Sequence, residues 1–436
     1  MATTLRTLAT TRFRRTRSYC SRTARGPLLG LMLVLAFVSG ISVDQFLPRD
    51  ERDASAASSL TGVPEFQVLE DTWSAIRDNY VESDEISDED LMYGASRGMV
   101  DALGDTGHSR FLDPGEAEAL DRATRGEFIG IGVEIDVRDG NPIIVAPLDN
   151  SPAAEAGLRA GDVILEINGE KTAGMSLTQV GQAIRGDEGT AVTLTIRHVE
   201  RETSEELTLV RRLIILEPVS WSLLPEGIAL IRLSDFTEGA TDEMKAALEA
   251  AVAAGATATV LDLRDNPGGL LHEAVGIASQ FLAKDTVIFQ EQDASGEVTS
   301  IGALGEPTVP NLPMAVLVNA GSASAAEIVA GALRDSGRAT LIGETTYGTG
   351  TVLIPFELSD GSVALLGTEL WLTSEGEQIW KEGIVPDQTV ALPIASSPVR
   401  PKDAEKLTLA ELRESGDSQL LAAIDAVTAL NLSQSP

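Results

Sequence analysis

The most informative segment of the chain is Val316-Leu-Val-Asn-Ala-Gly-Ser-Ala-Ser-Ala-Ala-Glu-Ile-Val-Ala-Gly-Ala-Leu333. Its first residues form a short apolar run that is typical of a buried strand, and the alanine-rich second half predicts a helix. Such a sharp strand-to-helix turn lifts a hydroxyl out of the sheet, beside backbone N–H groups without helical partners. Ser324 is therefore a candidate nucleophile. The alternative is a capping box, in which Ser324 and Glu327 only cap the helix.

A second unit of strand, turn and helix lies upstream. A strand is predicted over 257–263, the turn Asn266-Pro-Gly-Gly269 follows, and a helix is predicted over 270–282. This alternation of strands and helices predicts an α/β fold with a largely parallel sheet, whose ligand sites lie beyond the carboxyl ends of the strands. A Pro-Gly-Gly turn that opens a helix presents N–H groups suited to a developing oxyanion. Taken alone, it is also compatible with a plain tight turn.

A separate module occupies residues 126–211. Its order of strands and turns resembles a PDZ domain, most specifically in the block from Ser151 to Gly169. The resemblance implies that the stretch Phe128, Ile129, Gly130, Ile131, Gly132 and Val133 is the loop whose backbone N–H groups capture the C-terminal carboxylate of a peptide. The two glycines allow a close approach to backbone, and the adjoining strand edge can add a peptide strand. The alternative is that the module only packs against its neighbours.

Charge is divided unevenly along the 436 residues, which carry a formal net charge of −33. The first 49 residues hold eight arginines and one acidic residue, and the other 387 hold 25 basic and 65 acidic residues. An acidic body of this kind argues against nucleic acid as a partner. Cys20 is the one cysteine, so an internal disulfide is excluded. Because the sequence has no metal-ligand cluster, phosphate loop or nucleotide fingerprint, we expect neither a metal nor another cofactor.

The N-terminus has the pattern of a membrane anchor. A basic arm (1–26) precedes an apolar run of about 17 residues (27–43), at the short end for a membrane span. Basic residues before the run and acidic residues after it predict a single-pass signal-anchor, with the N-terminus cytoplasmic and the body extracytoplasmic, either periplasmic or extracellular. The alternative is a cleaved signal peptide, with a small-residue site at Ala54-Ser55-Ala56. A linker is expected over 44–63.

Four motifs, in order, connect these elements to a family. They are Asp262-Leu-Arg-Asp-Asn-Pro-Gly-Gly-Leu270, Val318-Asn-Ala-Gly-Ser-Ala-Ser-Ala-Ala-Glu-Ile328, Gly343-Glu-Thr-Thr-Tyr-Gly348 and Glu382-Gly-Ile-Val-Pro-Asp387. With a helical segment (64–125), the PDZ module and a core (212–395), the chain is similar to the carboxyl-terminal processing, or tail-specific, peptidases over about 65–392.

The resemblance implies a ClpP/crotonase-like parallel-sheet protease core with an inserted, β-rich PDZ domain and an N-terminal helical segment. It also implies a serine-type endopeptidase, a hydrolase whose partners are proteins or peptides with free C-termini. Ser324 would be the nucleophile. The oxyanion hole would be formed by the backbone N–H of Gly268 or Gly269 together with that of Ala325.

The chain departs from the family at its general base. The family has a lysine 25 residues after the serine and a glutamine four residues later; here these positions are Thr349 and Leu353. Threonine cannot act as a base at neutral pH, so another residue would have to replace the lysine. His272 is the first candidate, because a helix N-terminus keeps a histidine neutral, and Lys381 is the second. The alternatives are that Ser324 works slowly with water and the oxyanion hole alone, or that the protein is a catalytically impaired relative acting as a PDZ-based peptide-binding adaptor or scaffold.

The C-terminal segment, 396–436, begins as a proline-containing linker, and a helix is expected over about 403–430. Its apolar positions could pack on the core or pair with a second chain in a homodimer. The sequence leaves both arrangements open.

Overall fold

The computed structural model describes residues 65–105, 108–138, 140–148, 151–159, 161–175, 177–198, 204–393 and 396–434. The predicted arm, signal-anchor and linker lie outside these residues. The chain divides into two units, Met1–Ser87 and Asp88–Pro436, and the predicted helical segment at 64–125 spans both.

The described part of the first unit is one helix, α1 (Phe66–Asn79), followed by a 3-10 turn at Ser83–Glu85. The Arg77 guanidinium joins them, since Nη1 donates to the carbonyl oxygens of Ser83 at 2.8 Å and Ile86 at 2.7 Å.

The second unit alternates helices and strands. Its helices are α2 (Asp88–Asp101), α3 (Pro114–Thr124), α4 (Pro152–Glu155), α5 (Leu177–Ile184), α6 (Ala240–Ala253), α7 (Leu271–Ala278), α8 (Ala325–Asp335), α9 (Pro401–Ala404), α10 (Leu409–Glu414) and α11 (Ser418–Gln434). Its strands are β1 (Arg110–Leu112), β2 (Glu127–Gly130), β3 (Val133–Arg138), β4 (Asn141–Pro147), β5 (Val163–Ile167), β6 (Glu170–Lys171), β7 (Ala191–Arg197), β8 (Ser204–Val210), β9 (Arg212–Ile215), β10 (Val219–Leu224), β11 (Ile228–Leu233), β12 (Ala258–Asp262), β13 (Val287–Gln292), β14 (Val298–Gly302), β15 (Met314–Val318), β16 (Thr340–Gly343), β17 (Thr351–Glu357), β18 (Val363–Thr373) and β19 (Gln388–Thr389).

A six-stranded sheet forms the centre of the core, in the order β10-β11-β12-β15-β16-β19. The edge strand β10 is antiparallel to β11, and every other pairing in this sheet is parallel. The predicted α/β core with a largely parallel sheet is confirmed. Strands β12 and β15 are neighbours with the pair Asp262↔Leu317, so the turns that follow them meet at one edge of the sheet.

Both faces of this sheet are buried. Alternate residues such as Ile231, Leu261 and Val316 join a cluster with helices α6, α7 and α8. The intervening residues, such as Leu230 and Val260, join a second cluster with the C-terminal helices. Burial on both faces explains why these strands read as continuous apolar runs.

A second, antiparallel sheet has the order β1-β18-β13-β14, with β17 paired to β18. It packs on the α8 side of the core, where the rings of Phe289 and Trp371 have centroids 6.1 Å apart. Because β17 starts directly after Gly350, this sheet fixes the far end of the loop that contains Thr349.

The predicted PDZ module is a compact antiparallel sheet, β3-β4-β5-β7-β8, with β6 paired to β5. Its core contains Ile131, Ile144, Ile164 and Leu194. A separate two-stranded ribbon of β2 and β9, which pairs Glu127 with Ile215, joins the module to the protease core.

The C-terminal segment packs on the core through Leu412, Leu420, Ile424 and Val427, which is one of the two arrangements that the sequence left open. The single helix expected there is interrupted into α9, α10 and α11. Two local features explain the interruption: the Thr408 hydroxyl caps α10, and Gly416 has a φ of +81° between α10 and α11.

Candidate active site

Ser324 lies at the turn between β15 and α8. Its backbone has φ +57° and ψ −125°, a conformation rarely adopted by residues other than glycine. Strained backbone of this kind persists where the surrounding structure fixes it, and it is common at functional sites. Here the fixing partner is Glu327, whose carboxylate accepts from the Ser324 N–H at 2.9 Å and whose own N–H donates to the Ser324 carbonyl at 2.8 Å. The sharp turn predicted from the sequence is therefore present.

The glycine turn after β12 lies directly against Ser324. A Cβ atom added to Gly268 would fall 2.5 Å from the Cβ of Ser324 and 2.9 Å from the backbone nitrogen of Ala325. A Cβ added to Gly269 would fall 2.4 Å from the carbonyl oxygen of Phe236. Both contacts are too close for any side chain, so this approach of two backbone segments requires glycine at each position.

Two backbone N–H groups at this site are free to hold an oxyanion, one from each turn. The N–H of Gly268 is already used, because it donates to the Asn266 side-chain oxygen at 2.8 Å. Within the described part of the chain, the N–H groups of Gly269 and Ala325 have no hydrogen-bond acceptor. Of the two glycines that the sequence left open, Gly269 is thus the one with a free donor, together with Ala325.

Hydrogen bonds join the two turns over their whole length. The Ser322 hydroxyl donates to the Leu263 carbonyl at 2.8 Å, and the Ala323 N–H donates to the Asn266 carbonyl at 2.9 Å. Farther out, the Asn319 side chain donates to the Asp265 carboxylate at 2.7 Å. The nucleophile and the glycine turn are therefore held as one unit, the preorganisation that oxyanion stabilisation requires.

Glu327 has a larger role than the sequence predicted for it. Its fully buried carboxylate accepts four hydrogen bonds, from the Ser324 N–H, the Thr346 hydroxyl, the Gly348 N–H at 2.7 Å and the Thr349 N–H at 2.8 Å. Burial raises the pKa of the Glu327 carboxyl, and these four donors oppose that rise. The sequence signal was its position three residues after Ser324; the partners 19 to 22 residues away could not be read from spacing.

Thr349, at the position of the family lysine, is connected to the nucleophile through this carboxylate. The residue is 8% exposed and lies in a tightly packed loop. A Cβ added to Gly350 would fall 2.3 Å from the backbone nitrogen of Trp380, and the Trp371 N–H donates to the Gly350 carbonyl at 2.9 Å. The loop is thus held firmly in place, but the side chain at position 349 is a threonine instead of the family's lysine.

The two candidate bases lie in different places. His272 is in the first turn of α7, where its side chain is 55% exposed and its Nε2 is 3.6 Å from Oε1 of Glu273. Lys381 is exposed, with Nζ 5.1 Å from the centroid of a Trp380 ring, and its N–H donates to the Gly348 carbonyl at 2.9 Å. Lys381 therefore adjoins the Thr349 loop through its backbone.

His108 is a third candidate base, and like Lys381 it contacts Trp380. The ring of His108 meets that of Trp380 edge-on, with centroids 4.4 Å apart. Burial lowers the pKa of His108, and the positive charges of Arg110 and Lys381 lower it further, against the opposing charge of Asp105. A neutral imidazole is thus favoured beside the loop that lacks the lysine.

The PDZ module has a cavity of about 410 Å³, and all six residues of the predicted capture loop, Phe128 to Val133, line it. Gly181, Ile184 and Arg185 of and after α5 line its other side. At Gly132, with φ +70°, an added Cβ would fall 2.2 Å from the Cβ of Ser151, whose hydroxyl donates to the Gly132 carbonyl at 2.9 Å. This glycine is needed for the close approach that shapes the loop.

Metal-binding clusters and membrane-spanning helices are both absent from the described residues. No group of His, Cys, Asp and Glu side chains among them is arranged to hold a metal ion. None of the described helices combines the length and apolar character needed to cross a bilayer.

Comparison with known proteins decides the family. The model for peptidase family S41 matches residues 227–390, and a PDZ domain model matches residues 143–198. The carboxy-terminal processing protease CtpA of Bacillus subtilis is 34% identical over 366 residues, which cover 84% of this chain and 77% of the relative. The chain belongs to peptidase family S41.

A second relative and a solved structure agree with this placement. The carboxyl-terminal-processing protease of Synechocystis is 37% identical over 362 residues, which cover 82% of this chain and 81% of the relative. An S41 protease structure from Bacteroides fragilis, at 19% identity and a TM-score of 0.55, covers 82% of this chain and 96% of its own, and supports the fold. The S41 membership and these relatives identify the chain as a serine-type protease, a hydrolase, with a PDZ domain.

Proposed function

We propose that this S41 protein is a serine endopeptidase that cleaves extracytoplasmic proteins near C-termini captured by its PDZ domain. The observation that carries the proposal is the geometry at Ser324. A serine with φ +57° sits against a glycine turn, and the free N–H groups of Gly269 and Ala325 flank it. In an acyl-transfer reaction Ser324 would attack the peptide carbonyl, and the two N–H groups would stabilise the oxyanion that forms.

Thr349 sets the expected rate. A general base typically accelerates the reaction about 10²–10⁴-fold. A serine site that keeps only its oxyanion hole and substrate binding still accelerates it roughly 10³-fold over the reaction in water. We therefore propose a slow enzyme unless His272, Lys381 or His108 accepts the Ser324 proton. The second candidate function, a PDZ-based adaptor without proteolysis, is favoured only by the threonine at this position.

Location and assembly also belong to the proposal. The basic arm and the apolar run at 27–43 support a single N-terminal membrane anchor with the body outside the cytoplasm. Helix α11 buries Leu420, Ala423 and Ile424 against the chain's own sheet, so this apolar face does not call for a second copy. A homodimer is not part of the proposed function.

The test uses the purified full-length chain with an unfolded substrate protein that ends in an apolar residue. The same substrate with a C-terminal amide is the matched control, because it lacks the carboxylate. We expect slow cleavage of the first substrate, weaker cleavage of the amide and none with Ser324→Ala. His272→Ala, His108→Ala and Lys381→Ala then test each base. Binding without any cleavage that depends on Ser324 would reject the enzyme and favour the adaptor.

A further inference from the structure

A fully buried ion pair joins the C-terminal segment to the glycine turn of the active site. Nη1 of Arg264 contacts the Asp417 carboxylate at 2.8 and 3.0 Å, and neither residue is exposed to solvent. The two residues are 153 positions apart in the chain. Gln419, at the start of α11, accepts a further hydrogen bond from the same Nη1 at 3.2 Å.

Arg264 is fixed on its other side by the end of strand β12. Its Nε and Nη2 donate to the two carboxylate oxygens of Asp262 at 2.9 and 2.8 Å. The carbonyl of Arg264 accepts from Arg232 at 3.0 Å. Arg264 thus bridges two buried carboxylates, and it does so two residues before Asn266.

Asn266 connects Arg264 to both turns that supply the oxyanion hole. Its side-chain oxygen accepts from the Gly268 N–H at 2.8 Å and its backbone carbonyl accepts from the Ala323 N–H at 2.9 Å. Its side-chain amide donates to the Leu233 carbonyl at 2.9 Å. A shift of Arg264 would therefore move the turn that presents Gly269, and it would loosen the contact with the nucleophile's turn.

Asp417 is itself held by its own segment. Its carboxylate accepts from the backbone N–H of Leu420, in the first turn of α11, at 3.0 Å, and from the backbone N–H of Val399 at 2.8 Å. The carboxylate is thus a rigid anchor point rather than a flexible surface charge. Buried charges are costly unless paired, and removing one partner leaves the other uncompensated.

We infer that Asp417 is a positioning residue for peptide hydrolysis: through Arg264 it holds the Asn266–Gly269 turn in the geometry that stabilises the oxyanion. The inference rests on the proposed serine endopeptidase function, because it assigns the C-terminal segment a task in that same site. A catalytic group displaced by about 1 Å can lose roughly 10²-fold in rate.

The experiment compares variants of the full-length chain on the apolar-ended substrate. We expect Asp417→Asn to lower kcat by about 10²-fold and to leave KM and peptide binding by the PDZ domain unchanged. Asp425→Asn, an exposed residue of the same helix, is the matched control and should match wild type. Ile424→Ala should lower the melting temperature by removing a buried side chain, yet keep kcat. A kcat loss in Ile424→Ala as large as that in Asp417→Asn would reduce the effect to helix stability and overturn the inference.

A second variant and a hydrogen-exchange measurement keep the inference testable if Asp417→Asn does not fold or the enzyme does not turn over. Gln419→Leu removes the hydrogen bond from the Arg264 guanidinium, and with it the one that the Gln419 amide donates to the Val390 carbonyl. It leaves the Arg264–Asp417 pair in place, should lower kcat roughly tenfold, and replaces Asp417→Asn if that variant does not fold. Hydrogen exchange of the 264–270 peptide should be faster in the Asp417 or Gln419 variant than in Asp425→Asn. Unchanged exchange overturns the inference whether or not the enzyme turns over. If wild type shows no cleavage that depends on Ser324, while the Asp417 or Gln419 variant still exchanges faster than Asp425→Asn, only the proposed function is rejected.

Discussion

Restoring a lysine at position 349 should accelerate the enzyme. The Thr349 N–H and the Ser324 N–H donate to the same Glu327 carboxylate, at 2.8 and 2.9 Å, so position 349 is already tied to the nucleophile. The site is 8% exposed, and burial lowers the pKa of a lysine, which frees it to accept a proton. A general base accelerates the reaction about 10²–10⁴-fold, equivalent to about 2.7–5.4 kcal/mol of transition-state stabilisation.

The assay for Thr349→Lys is kcat/KM on an unfolded substrate protein with an apolar C-terminus. We expect an increase of about 10²-fold or more, carried by kcat, and complete loss when Ser324→Ala is added. Thr349→Met is the matched control, since its unbranched side chain fills similar space without an amine. An unchanged rate in a folded Thr349→Lys variant, or an equal increase in Thr349→Met, would refute the assignment of the missing base to this position.

Three further predictions concern the hole, the peptide groove and pH. Gly268→Ala places a methyl group 2.5 Å from the Ser324 Cβ and should lower kcat/KM by at least about 10²-fold. Gly132→Ala places one 2.2 Å from the Ser151 Cβ and should abolish binding of C-terminal peptides, as measured by fluorescence anisotropy. Burial and a neighbouring carboxylate raise the pKa of Glu291 to about 7 from its ordinary 4.5. Stability should therefore fall as pH rises from about 4.5 to 7, and Glu291→Gln should flatten that part of the melting-temperature profile.

Matched controls separate these effects from general damage. Gly296 and Gly140 also have positive φ, at +81° and +74°, but no atom lies within 4 Å of an added Cβ. Gly296→Ala should retain catalysis and Gly140→Ala should retain peptide binding. Losses in these controls equal to those in the test variants would show that backbone strain, rather than crowding of the site, is responsible. A Glu291→Gln profile parallel to wild type would remove Glu291 from the pH dependence.

Local signals in the sequence predicted the framework well. The apolar run before Ser324 and the Pro-Gly-Gly turn both mark strand ends, and strands β12 and β15 prove to be neighbours in a parallel sheet. Because such ends meet at one edge, the sequence pattern alone was enough to expect the two turns in one site. The PDZ loop was predictable for a similar reason, since Gly132 marks a close backbone approach.

Contacts between distant residues could not be read in the same way. The four donors to Glu327 come partly from a loop around Thr349 that has no helical or strand period, and Arg264 pairs with Asp417 across 153 positions. A charged residue inside an apolar pattern shows that a partner is needed but not which one. The single helix predicted over about 403–430 likewise had apolar positions without a known partner, and the surface that they cover, the back of the sheet, emerged only from the fold.

The most direct measurement is covalent labelling of the full-length chain with a fluorophosphonate, followed by mass spectrometry of the peptide that contains Ser324. We expect slow, single-site modification of Ser324 in wild type, no adduct in Ser324→Ala, and faster modification in Thr349→Lys. The absence of an adduct on Ser324 after long incubation, in a chain that still binds C-terminal peptides, would contradict a competent nucleophile at this turn.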